Sequence, residues 1–151
     1  MRSLAIVLAL SSFSAVAACP NLAGKYASCR SMTGGEGGST DVVVTQKEEN
    51  GVTTYTITST NDESQERETE EMIVDGQVHT QTTNDPNVGE ITSSETYTCG
   101  DNKVLGTEIV SMQGQEIASL NVEVLRNGNA MEMNITGTVF GQEASEQMVC
   151  E

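Results

Sequence analysis

Apolar and polar residues alternate along most of the chain, and Gly-containing dipeptides interrupt the alternation at short, regular intervals. Alternation with period two is the mark of a half-buried strand, because successive side chains point to opposite faces. No stretch shows the 3.6-residue period of an amphipathic helix. The pattern predicts ten strands, near 22–31, 40–48, 51–59, 66–74, 77–83, 90–98, 103–112, 116–125, 130–139 and 143–150.

The dipeptides predict how these strands pair. Asn50-Gly51, Asp75-Gly76 and Asn127-Gly128 suit type I′ turns, and Gly114-Gln115 and Gly141-Gln142 suit type II′. A two-residue turn fixes the register. Around Asn127-Gly128 this opposes Val124 to Met131, Val122 to Met133, Leu120 to Ile135 and Ala118 to Gly137. The other turns add Leu105–Val124, Ile109–Leu120, Gly137–Glu146 and Val44–Ile57. Three turns select one apolar face, with Leu105, Ile109, Leu120, Val122, Val124, Met131, Met133 and Ile135 buried together. Around Asp75-Gly76 a hairpin opposes Ile73 to Val78 and Met72 to His79. The expected fold is all-β: an antiparallel up-and-down meander of 8–10 strands closed into a barrel, with a two-sheet sandwich as the alternative.

The first 18 residues read differently. Arg2 precedes an apolar run from Leu4 to Leu10, and Ala15 to Ala18 offer small residues for cleavage, as in a secretory signal peptide. Residues 19–151 then form one domain, secreted or periplasmic. Val16-Ala17-Ala18-Cys19 also resembles a lipoprotein signal, which would anchor Cys19 in the outer membrane. Even cysteine parity favours two disulfides instead. Cys19–Cys29 is excluded by reach, since an extended strand carries Cys29 too far from the N-terminal cysteine. Two crossed pairings remain. Cys29–Cys150 with Cys19–Cys99 is preferred, because first and last strands are neighbours in a sheared barrel.

Charge narrows the function. The chain has 7 Lys+Arg against 22 Asp+Glu, a net charge of −15, which repels nucleic acid. A membrane barrel would need aromatic girdles and an apolar exterior. Here the outward residues include Asn121, Glu123, Glu132 and Asn134. His79 is the single histidine and sits on a strand, so no catalytic site is expected and the protein is read as a non-enzyme. The acidic run Glu63, Glu66, Glu68, Glu70, Glu71 and Asp75 alternates along a strand and reads as a solvated edge; no metal and no cofactor are expected.

Asn21-Leu22-Ala23-Gly24-Lys25-Tyr26 resembles the first-strand Gly-x-Trp signature of lipocalins and related calycins, with Tyr26 in the Trp place. The glycine-rich stretch at 33–39 falls where that family has a flap over the barrel mouth; here it is expected to be mobile. The last strand lacks the basic residue that lipocalins pack on the Trp. The resemblance implies capture of a small apolar or amphipathic ligand inside the barrel. Inward polar residues are then the candidates: Tyr26, Arg30, Glu95, Tyr97, Thr107 and Glu146, with Arg30 as a partner for an interior carboxylate and Gly137 leaving room over Glu146. The alternative is a protein-interaction module, such as a protease inhibitor or envelope protein. A monomer is expected.

Overall fold

The computed structural model describes residues 18–34 and 38–151. The expected signal segment therefore lies outside the described residues, Ala18 apart, as do residues 35–37 of the glycine stretch. Ten antiparallel strands follow in chain order: β1 (Gly24–Ser31), β2 (Gly38–Glu49), β3 (Val52–Asn61), β4 (Arg67–Val74), β5 (His79–Asp85), β6 (Gly89–Gly100), β7 (Lys103–Met112), β8 (Gln115–Asn127), β9 (Ala130–Val139) and β10 (Gln142–Cys150). They make one sheet in the order β4-β3-β2-β1-β10-β9-β8-β7-β6-β5, strongly curled into a half-barrel. First and last strands pair, Cys29 opposite Cys150.

The expected hairpin at Asp75-Gly76 does not form. β4 pairs with β3 and β5 with β6, so the chain crosses from one edge of the sheet to the other at residues 75–78. Asp75 Oδ1 instead accepts the backbone N–H of Gln77, and Gly76 N–H donates to the carbonyl of Tyr97 on β6 at 3.0 Å. The two edges thus approach at one end of the sheet.

The turn registers explain which side chains face inward. Asn50-Gly51 behaves as expected, with both residues at positive φ and Val44 opposite Ile57. The turns expected at Gly114-Gln115 and Gly141-Gln142 sit one residue earlier, at Gln113-Gly114 and Phe140-Gly141. In both, the two residues have positive φ, so these are type I′ turns with Gly second. Around Gly128 the register also moves, pairing Asn127 with Ala130 and Val124 with Met133. Each shift moves the opposed residue by two positions, which preserves the face. Leu120, Val122, Val124, Met131, Met133 and Ile135 accordingly line the inside.

β7 is the exception. A bulge leaves Ile117 unpaired between Ser111–Glu116 and Val110–Ala118. One extra residue reverses every side chain beyond it. Val104, Gly106, Glu108 and Val110 face inward, while Leu105 and Ile109 are outside at 43% and 42% exposure. The expectation that these two join the core is therefore corrected.

The core fills one end of the half-barrel. Val104, Val122, Val124, Met131, Val42, Val44, Tyr55, Met72 and Val74 are buried there. Residues 19–22 close that end as a plug. Cys19 is bonded to Cys99 on β6, and the Tyr55 hydroxyl on β3 donates to the Pro20 carbonyl at 2.5 Å. Leu22 is 1% exposed, and its carbonyl accepts the Tyr26 hydroxyl at 2.9 Å. Arg126 on β8 donates to the carbonyls of Asn21 and Ala23. The second disulfide is Cys29–Cys150, so the preferred pairing holds. Two disulfides fit an oxidising extracellular or periplasmic environment. No helix among the described residues is long and apolar enough to cross a membrane.

Candidate functional site

At the other end the inward residues change character. Leu120 and Ile135 are half-buried, and carboxylates join them: Glu70 on β4, Glu95 on β6, Glu108 on β7 and Glu146 on β10. Register places each. Glu70 opposes Ile57, Glu95 opposes both His79 and Glu108, and Glu146 opposes Ile135.

Glu95 is the electrostatic centre. Burial pushes its carboxyl above the usual range, and repulsion from Glu108 and Glu70 pushes the same way. Hydrogen bonds with Ser93 and Tyr97 oppose the shift. Glu70 belongs to one edge of the sheet and Glu95 to the strand beside the other, so the open seam is bordered by like charge. Ser93 Oγ donates to Glu108 Oε1 at 3.3 Å. Burial, then Glu95, Glu108 and Glu70, raise the Tyr97 hydroxyl well above its ordinary value. Burial alone raises Tyr55, to about 12. The ion pairs among the described residues are Lys47–Glu49, Lys103–Glu123 and His79–Asp75; none involves this wall. His79 Nε2 lies 3.0 and 3.1 Å from the two Asp75 oxygens. The Gln77 N–H, and then His79, hold Asp75 below its usual value.

The six expected ligand residues separate. Glu95 and Tyr97 come together, and Glu146 shares their concave face. Tyr26 lies in the plugged end, 3% exposed, with its ring against Gly24. Arg30 is exposed and points away. Tyr26 and Cys29, three residues apart, are both buried, so alternation breaks between them. Ala27 and Ser28 both donate to the Glu151 carbonyl at the break. Arg30 is thus no partner for the interior carboxylates. Thr107 went outward with the β7 reversal. Gly137 opposes Ala144 rather than Glu146; a Cβ there would strike the β8 backbone at Ser119 and Leu120, so its bareness permits close strand approach. Glu108 and Glu70 were missed. Glu108 needed the bulge to be known, and Glu70 was absorbed into the solvated acidic run.

A surface depression of about 560 Å³ lies on the opposite, outer face of β6–β9, bordered by Thr96, Thr107, Asn121 and Thr136. A second, of about 380 Å³, lies outside β1 and β2 near Lys25, Asp41 and Arg67. Among the described residues, no group of three or more His, Cys, Asp or Glu is arranged to hold a metal ion. No protein-family model, curated protein or solved structure matches the chain.

Proposed function

We propose that the protein is an exported, non-enzymatic, lipocalin-like binding protein. The sheet acts as a barrel with its seam at β4 and β5, and its unplugged half holds a small amphipathic ligand. One observation carries the reading: the inward residues divide into a packed end and a half-exposed end. A wall that combines Leu120 and Ile135 with Glu95, Glu108 and Glu146 suits a ligand with an apolar body and a positive group. Fluorescence titration tests it, with an aliphatic amine carrying a dansyl group as probe and the corresponding uncharged amide as control. The amine should bind more tightly than the amide. Glu95→Gln with Glu108→Gln should reduce that preference about tenfold. Failure of both probes to bind would overturn the carrier reading.

The second reading is a protein-interaction module. It is favoured by the edges of β4 and β5, each paired on one side only among the described residues. Such edges accept a strand from a partner. Protection of the 67–74 or 79–85 amides from hydrogen exchange when a partner protein is added would support this reading.

A further inference from the structure

We propose that the outer face of β6–β9 carries a second binding site, for a neutral oligosaccharide. The site is the depression of about 560 Å³ described above. A twisted sheet is saddle-shaped, so a face that is convex across the strands is concave along a diagonal. Register sets a straight polar row across this hollow. Thr96 opposes Thr107, Thr107 opposes Asn121, and Asn121 opposes Thr136. Asn134 and Leu105 stand in the adjoining row.

Three observations point to the ligand class. Thr96, Thr107, Asn121, Asn134 and Thr136 make no side-chain hydrogen bond to other described residues. Hydroxyl and amide groups both donate and accept, as sugar hydroxyls do. Leu105, 43% exposed among polar neighbours, offers an apolar contact for the C–H face of a sugar ring. The hollow is also locally neutral in a chain of net charge −15. Its one carboxylate, Glu123, is held by Lys103 Nζ at 3.0 Å. A polycation would be drawn to the acidic interior and edges rather than here. A peptide is disfavoured because the floor, at Gly106 and Val122, is backbone already paired within the sheet.

The test is an amide chemical-shift titration of the intact protein with cellohexaose, maltohexaose and hexa-N-acetylchitohexaose at millimolar concentration, with spermine as the cationic control. At least one hexasaccharide should perturb amides of residues 96, 107, 121, 134 and 136. Asn121→Ala with Asn134→Ala should weaken that binding at least about tenfold. Both positions are on the solvent side, and the same spectra report whether the variant is folded. Leu105→Ala, a second and separate variant, should also weaken it. Silence from all three sugars, perturbations elsewhere, binding unchanged in the variants, or spermine binding in the hollow would each overturn the proposal. None of these outcomes bears on the amine probe inside the half-barrel, so the two sites fail independently.

Discussion

The two ends of the half-barrel are built from the same ten strands but solve opposite problems. The plugged end gathers Tyr26 and Tyr55, Val42 and Val44 of β2, Val104 of β7, Val122 and Val124 of β8 and both disulfides around residues 19–22. Its tyrosine hydroxyls donate to backbone carbonyls, Tyr55 to Pro20 and Tyr26 to Leu22, while Gln46 Oε1, on the residue opposite Tyr55, is buried without a partner among the described residues. The open end places carboxylates on the wall and leaves its apolar residues half-exposed. Only 24 residues after position 18 are Val, Ile, Leu or Phe, too few to fill both ends. Concentrating them at one end gives a packed base and leaves the wall of the other half-exposed.

This contrast orders the expected effects of mutation. Removing Cys29–Cys150 by paired Ala substitutions should be the most damaging. It frees a loop of 121 residues, and the chain-entropy argument puts the loss at roughly 4–5 kcal/mol. Urea midpoints of the oxidised protein and the variant measure it. A loss below about 1 kcal/mol would show that the base does not depend on the staple. Next, Leu22→Ala should cost about 2–5 kcal/mol, because the Leu22 side chain is fully buried, whereas Leu120→Ala on the half-exposed wall should cost about half as much. Equal losses would erase the distinction between the ends. Tyr55→Phe deletes one buried hydrogen bond and should cost about 1–1.5 kcal/mol.

Glu95→Gln should act in the opposite direction. The folded-state pKa is raised, so the native protein binds the extra proton. Stability from this group is greatest at low pH and falls as pH rises from the usual Glu value through the raised one. The variant should therefore melt higher than the parent at neutral pH, and the gap should vanish on acidification below the usual Glu range. A variant less stable at pH 7 would mean that the bonds to Ser93 and Tyr97 outweigh the repulsion. The smallest effect belongs to Leu105→Thr, expected within about 0.5 kcal/mol because the residue is outside.

Strand positions were readable because alternation and turn dipeptides are local signals. For the disulfides, reach excluded Cys19–Cys29, and the neighbourhood of first and last strands chose between the two crossed pairings that remained. β7 was not: both of its faces carry apolar residues, Val104 and Val110 on one, Leu105 and Ile109 on the other. The choice was made by a bulge at Ile117 that no dipeptide announces. The break between β4 and β5 was hidden for another reason. Asp75-Gly76 does bend the chain, with Gln77 N–H on Asp75 Oδ1, but its Gly76 N–H is bonded to the Tyr97 carbonyl on β6 and the two strands that flank it pair elsewhere. The interior carboxylates were half-readable: Glu95 and Glu146 from parity, Glu108 and Glu70 only once register and curl were known.

The place where the sheet is open has a consequence for how it assembles. Every neighbouring pair of strands is adjacent in sequence except β1 and β10, which must find each other across the length of the chain. A circular permutant that joins residue 151 to the start of the plug and opens at 75–78 would turn the sheet into a wholly local meander. Its mean contact separation would fall, and topology would then favour faster folding to the same sheet.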